Sequence, residues 1–340
     1  MASDLVVPVV TLQNVRLHTG ADKLELCDVL GYQMCVPKGQ YKSGDIAVYF
    51  PADTVLPDQW SEKFAVKNFL KGPEKNRVGR VRLRGEPSFG LVVPVQDCKW
   101  VVGENVAEFF GAQKYLPPVK IGVANQAQHD AAIDPFFSQY TDIQNGRIFV
   151  EVFKDGEEIV ATEKIHGRNN RTGIINGKDV AGSHTTRKNP PEGGKFETDY
   201  DWFPWSLPEV CRMLRFLANS YKVVILYGEV FGGSVQKLNY GVPKGKGLGF
   251  RAFDLSVDGR YLSWDELVVL CVECGPYSMA KMKELADGKS VVEGADNIRE
   301  GIVVKPVQER LDPKVGRATL KYVGTEYELG KKEGDDSTDV

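Results

Sequence analysis

Glu163-Lys164-Ile165-His166-Gly167-Arg168-Asn169 follows an apolar run, Glu158 to Thr162, that reads as a strand, and it opens into a polar, glycine-containing turn. A lysine at the end of such a strand can hold its amine in a cleft, partly desolvated and beside other cations. Both conditions lower an amine's pKa and make it nucleophilic. Alone, a lysine on a strand reads as a solvated surface charge, so its meaning depends on the segments downstream.

Those segments set chemistry-bearing residues at strand ends and turns. Gly182-Ser183-His184-Thr185-Thr186-Arg187-Lys188 is a basic turn. Leu226-Tyr227-Gly228-Glu229-Val230-Phe231-Gly232 brings a carboxylate out of a buried strand between glycines, where a ligand can approach the backbone. Phe250-Arg251-Ala252-Phe253-Asp254, Glu300-Gly301-Ile302-Val303-Val304-Lys305 and Leu320-Lys321-Tyr322 follow. In this order the six segments resemble motifs I, Ia, III, IIIa, IV and V of the covalent nucleotidyltransferases, the superfamily of polynucleotide ligases and mRNA capping enzymes. The His-Gly form of the first resembles the RNA ligase branch. The resemblance covers roughly residues 145 to 330.

It implies an ATP-dependent RNA ligase with ATP as co-substrate and Mg2+ or Mn2+ as the cation, both of which take oxygen ligands. Lys164 would attack the α-phosphate and carry AMP. Glu163 would accept from the adenine amine, and His166 and Asn169 would organise metal water and leaving phosphates. Glu229 would accept from a ribose hydroxyl or hold metal water, and Phe253 would stack on adenine or belong to the core. Glu300 would coordinate the metal, while Lys305 and Lys321 would contact nucleotide phosphate. Arg187 would meet the phosphates of the 3′-OH strand. Arg168 departs from the Ser or Thr usual in the family and would add a phosphate contact; Thr319 stands where a paired lysine is usual.

Residues 1–115 read as short strands broken by Gly20, Gly31, Gly39, Gly44 and Gly85, the pattern of a small β-barrel or sandwich. Gly20-Ala21-Asp22-Lys23-Leu24 with Cys27-Asp28-Val29 resembles the opening of the tRNA-binding OB domains. Arg80-Val81-Arg82-Leu83-Arg84 would set three guanidinium groups on one strand face, with Val81 and Leu83 toward the core. Such a stripe suits phosphates; paired with local acids it is a solvated face.

The net charge of −3 excludes a uniformly basic coat and confines any polyanion site to a local patch. No apolar run approaches the roughly 20 residues that span a bilayer, and the first residues lack a basic n-region and apolar h-region. No membrane partner, a cytoplasmic location and a monomer are expected. Ser263 with Glu266 suggests a capping box, after which Leu267, Cys271 and Cys274 would share one helical face as reduced thiols. Ser206 with Glu209 suggests a second capping box. Arg147 to Val152 and Glu158 to Glu163 read as paired strands.

The expected fold class is α+β: an OB-like β domain over 1–115, a connector over 116–144, an ATP-grasp-like nucleotidyltransferase domain of two antiparallel sheets plus helices over 145–330, and a polar tail over 331–340. A leading OB-like domain resembles the nick-sealing RNA ligases. The expected substrate is therefore nucleic acid, a nicked RNA or RNA–DNA duplex whose 3′-OH strand is RNA. The alternatives are a capping-type guanylyltransferase and a non-catalytic RNA-binding module.

Overall fold

The computed structural model describes residues 5–115, 130–267 and 273–330. The chain divides into two compact units: residues up to 115 with Arg147–Phe149 belong to the first, and the other described residues to the second. The expected tail over 331–340, and Cys271, lie outside the described residues.

The first unit holds β1 (Val9–Thr11), β2 (Gln13–Leu17), β3 (Leu24–Val29), β4 (Tyr32–Pro37), β5 (Ile46–Pro51), β6 (Thr54–Val55), α1 (Asp58–Lys63), β7 (Arg80–Leu83), β8 (Glu86–Pro94), α2 (Ala107–Phe110) and β9 (Gln113–Lys114). They form sheets in the order β1-β5-β8-β7 and β2-β3-β4, with a β6-β9 pair. Alternation drives the packing: β4 buries Tyr32, Met34 and Val36 and turns the residues between them outward. Val9, Val48, Phe50, Leu56, Val93 and Phe110 make a core. Arg80 and Arg82 share a face of β7, but Arg84 does not. The β7–β8 hairpin turns at Arg84-Gly85 with positive φ at both (51° and 96°), so the stripe stops at two arginines. Val81 and Leu83 are half-buried rather than core.

The second unit holds β10 (Gln144–Asn145), β11 (Glu158–Lys164), β12 (Arg168–Ile175), β13 (Lys178–Gly182), β14 (Arg187–Lys188), α3 (Pro208–Leu217), β15 (Val223–Phe231), β16 (Gly249–Val257), β17 (Arg260–Tyr261), β18 (Glu273–Pro276), α4 (Met279–Ala286), β19 (Gly301–Pro306), β20 (Leu311–Asp312), β21 (Gly316–Arg317), β22 (Leu320–Val323) and α5 (Thr325–Gly330). Two sheets dominate, ordered β10-β22-β19-β11-β18 and β14-β13-β12-β15-β16-β17. The six-stranded sheet is antiparallel throughout. In the five-stranded sheet β10 runs parallel to β22, so the expectation of two wholly antiparallel sheets is corrected at that edge. Val210 and Leu214 of α3 pack on Trp202, Trp205, Leu226 and Leu255 against the six-stranded sheet. Phe137, Tyr140 and Ile143, within the expected connector, are core residues of this unit.

Three local expectations are corrected. Arg147–Val152 is not a strand; β11 pairs with β18 and β19. Arg147 is 1% exposed, with its guanidinium 4.4 Å from the Tyr32 ring centroid and an N–H donated to Gly31 O at 3.2 Å. The Ser206 hydroxyl donates to Phe203 O at 2.7 Å instead of capping α3, which starts on Pro208 with no side-chain cap. Ser263 and Glu266 do form a capping box, but the helix is a single 3-10 turn; Leu267 is extended and Cys274 is an exposed strand residue. No helix among the described residues is long and apolar enough to cross a membrane.

Candidate active site

Lys164 is the last residue of β11, after Ile159, Val160 and Ala161, all fully buried. On β19, Ile302 and Val304 are likewise buried, which fixes the register Thr162↔Val303 and Lys164↔Gly301. Val303 in turn faces Lys321 across β22. Side chains of laterally paired residues point to the same face, so Thr162, Lys164, Val303, Lys305 and Lys321 share one side of the five-stranded sheet.

The six-stranded sheet supplies the facing wall. Asn169 of β12 is opposite Glu229 of β15, and Glu229 is opposite Arg251 of β16. The β15–β16 register shifts at Tyr227/Gly228, so that Tyr227 pairs with Asp254 and Gly228 with Ala252. Phe253 is the extra residue. A bulge re-aims a side chain that plain alternation would send elsewhere, and Ala252 and Phe253 both reach the same cavity. Its volume is about 250 Å3, and among its lining residues are Glu163, Lys164, Asn169, Glu229, Phe253 and Lys305. Phe253 is thus placed both against the core and at the cavity wall. Its ring packs on Tyr140 (centroids 4.9 Å apart) and also borders the cavity.

Hydrogen bonds fix the Lys164 end. The Lys164 ammonium donates to a Glu300 carboxylate oxygen at 2.7 Å, and the other Glu300 oxygen lies 3.6 Å from His166 Nδ1. His166 also reaches the Tyr327 hydroxyl through Nδ1 at 3.0 Å, and its backbone N–H donates to the Tyr240 hydroxyl at 2.7 Å. Burial pushes the Tyr240 phenol well above its ordinary range, so it stays protonated there. Gly167 lets this turn lie against β15, because a Cβ there would collide with Val230 O and Glu229 Cγ. His166, Glu300 and Lys321 stand outside the cavity lining.

Buried charges set the floor. Asp254, wholly buried, accepts from Tyr140 OH at 2.9 Å and from the Arg317 guanidinium at 2.7 Å, with Lys305 Nζ at 3.4 Å. Glu163 accepts from the Val291 N–H at 2.7 Å, while burial raises its carboxyl above the ordinary range. Two acceptors, Glu163 Oε1 and Asn169 Oδ1, are buried with no hydrogen-bond partner. Buried polar atoms are rarely left so, and donors on a bound molecule would satisfy both. Among the described residues no three His, Cys, Asp or Glu side chains could hold a metal ion by themselves. The Glu229 and Glu300 carboxylates suit a hard cation that takes its remaining ligands from phosphate and water.

The other sequence-derived residues are not among the cavity's lining residues. The Arg168 side chain turns from the Asn169 face and binds Asp201 through both carboxylate oxygens, at 3.0 and 2.9 Å. Arg187 pairs with Asp134 at 3.3 Å. Arg80, Arg82 and Arg84 belong to the first unit, with Arg80 3.6 Å from Asp53. Sequence reasoning missed Arg251, Tyr140 and Tyr240. The pairing of Arg251 with Glu229 is set by register across β15 and β16, and nothing local to the sequence marks the two tyrosines.

Residues 157–323 match the family model described as RNA ligase, and residues 6–95 match one described as an OB-fold domain. A comparison with curated protein sequences finds no match. Among solved structures the chain resembles an apo mutant of the Naegleria gruberi RNA ligase at 21% identity and a TM-score of 0.71, covering 97% of this chain and 98% of that one. A mutant of that ligase with ATP and Mn aligns at 21% identity and TM-score 0.68, over 95% and 98% of the two chains. The same ligase with PPi aligns at 21% identity and TM-score 0.67, over 95% and 98%. The chain thus carries an RNA ligase domain at residues 157–323, which follows an OB-fold domain at residues 6–95.

Proposed function

We propose that the protein is an ATP-dependent RNA ligase that joins 3′-OH and 5′-phosphate ends, at nicks in duplexes whose 3′-OH strand is RNA. The observation that carries the nucleotide step is the Lys164 ammonium held at 2.7 Å from Glu300, at a cavity where the buried Glu163 Oε1 and Asn169 Oδ1 lack donors. The solved forms of the similar Naegleria gruberi ligase with ATP and Mn, and with AMP and Mn, support the choice of ATP and a divalent cation. The leading OB-fold domain supports the nick.

Lys164 would form a phosphoramide bond to the α-phosphorus of ATP as the bond to pyrophosphate breaks. The Lys164 proton must leave first, and Glu300 is the carboxylate in reach. AMP then passes to a 5′-phosphate, and a 3′-OH attacks that activated end and expels AMP. A divalent cation at Glu300 and Glu229 would offset charge on the transferring phosphoryl group. Lys305 and Lys321, on the same sheet face, add fixed positive charge at no cost in reorganisation. Glu163 would accept from the adenine amine, a contact that guanine, with an acceptor there, cannot make.

The test is mass spectrometry of the full chain given ATP or GTP with Mg2+ or Mn2+. An AMP adduct on wild type and none on Lys164→Ala is expected. Labelling by GTP alone would indicate a capping-type enzyme, and no adduct with either nucleotide a non-catalytic module. Sealing of a nicked duplex, compared with RNA or DNA on the 3′-OH side, tests the substrate.

A further inference from the structure

Lys164 is the last residue of β11 paired with β19, and Ile165-His166-Gly167 then cross to the start of β12 in the other sheet. Beyond Lys164 the β19 ladder no longer fixes the chain, so the backbone on that side of the nucleophile is held by other means. Two loops of the same unit hold it. The loop before β19 donates the Val291 N–H to Glu163 Oε2 at 2.7 Å, on one side of Lys164. On the other side, in the loop between β15 and β16, the Tyr240 hydroxyl oxygen accepts the His166 N–H at 2.7 Å. The Gln236 amide of that loop donates to Gly167 O at 3.4 Å.

Tyr240 is held in a conformation that a packing role alone does not require. Its φ is 47°, in the left-handed region, where a bulky aromatic residue is a genuine outlier. Such strain persists only where the surroundings over-determine it. Here the Tyr240 N–H donates to Asn297 Oδ1 at 3.2 Å, and the Asn297 amide donates to Ile298 O at 2.8 Å. Tyr240 is 1% exposed, with its ring edge-on to Phe231 and in one cluster with Val292. At Gly241 a Cβ would lie 2.7 Å from Gly294 O, so the two loops pack backbone to backbone. Asn297 thereby ties the loop that holds His166 to the loop that holds Glu163. The outcome is one buried hydroxyl delivered to one N–H, two residues past the nucleophile.

We propose that Tyr240 is a positioning residue for the nucleophile: through the His166 N–H it fixes the turn after Lys164, and so the direction in which the amine meets the α-phosphorus. The assignment rests on the reading of Lys164 as the residue that takes AMP. Attack on phosphorus needs the amine close and in line, and a misplacement of about 1 Å costs about a hundredfold in rate. Tyr240 is not among the residues that line the cavity, so its hydroxyl acts on the nucleophile and not on nucleotide affinity.

Tyr240→Phe, which removes one oxygen and keeps the ring, tests this on the full chain. Single-turnover formation of lysyl-AMP at saturating ATP with Mg2+ should slow by about tenfold or more. The final amplitude should equal that of wild type, and the ATP dissociation constant, measured without divalent ion, should stay within about twofold. A merely structural residue gives the opposite split, with a smaller active fraction or weaker ATP binding at an unchanged rate. A Tyr240→Phe rate within about threefold of wild type, or a loss confined to amplitude or ATP affinity, overturns the assignment and leaves the ligase reading standing. Lysyl-AMP absent from wild type overturns the ligase reading, and with it the reaction that Tyr240 would position.

Discussion

The Lys164 ammonium and the Glu300 carboxylate, 136 positions apart in the chain, meet at 2.7 Å, and the second Glu300 oxygen faces His166. One carboxylate therefore holds the Lys164 ammonium and links it to the imidazole. Glu300→Gln keeps the shape and removes the charge. Lysyl-AMP formation should fall by roughly a hundredfold or more, the scale seen when one preorganised electrostatic contact is lost. Single-turnover kinetics measures this, and a change below threefold would remove Glu300 from the chemical step.

Glu163 offers a pH test. Burial raises its carboxyl above the ordinary range, more than the Val291 N–H, the Ser290 hydroxyl and Arg299 lower it. As pH climbs through the ordinary carboxylate range the unfolded chain ionises first, so it binds fewer protons than the native state and stability falls. Glu163→Gln should therefore raise Tm at neutral pH, with the gain vanishing by about pH 3, where both states of the wild type are protonated. Calorimetric scans at the two pH values decide it; a gain that persists in acid would contradict the burial argument.

Arg317 anchors the bulge that aims Phe253. Its guanidinium lies 3.7 Å from the Tyr261 ring centroid and bonds Asp254, which is wholly buried. Arg317→Ala should cost about 3–5 kcal/mol, because it takes the guanidinium from a buried carboxylate and leaves it with Tyr140 OH and Lys305. Denaturant unfolding reads the loss, and ATP affinity should weaken with it.

Arg168 and Asp201 form a two-pronged pair in which the carboxylate is buried and the guanidinium half-exposed. Burial raises the Asp201 carboxyl, against the lowering effect of Arg168. Arg168→Ala should cost about 1 kcal/mol after screening at the exposed end, and Asp201→Asn added to it should recover part of the loss. An unchanged Tm in Arg168→Ala, with weaker nucleic-acid binding, would return this arginine to the substrate.

In the first unit, Arg82 and Arg84 are exposed and Arg80 is paired with Asp53. Arg82→Ala and Arg84→Ala should each lower the salt slope of duplex binding by about one, and Arg80→Ala by less. Titrations at several salt concentrations measure the slopes. Lysyl-AMP formation should be unaffected in all three.

Much of the site was legible before any fold was known, because strands advertise themselves. Glu158–Lys164, Val223–Phe231 and Gly301–Pro306 are apolar runs ending beside Lys, Glu or Gly, and the structure keeps them as strands. Local rules failed where neighbours competed. Pro208 starts α3 and left Ser206 to bond Phe203. The hairpin at Arg84-Gly85 took the third arginine off its strand.

The sequence by itself determined which residues could do chemistry and in what order they sit on strands, since alternation and turn chemistry act over a few residues. Only the tertiary structure decided their pairing: the bulge that turns Phe253, the Asn169–Glu229–Arg251 row and the Arg168–Asp201 clasp. Register is set by cross-strand packing over tens to hundreds of positions, and no short window of sequence carries that information.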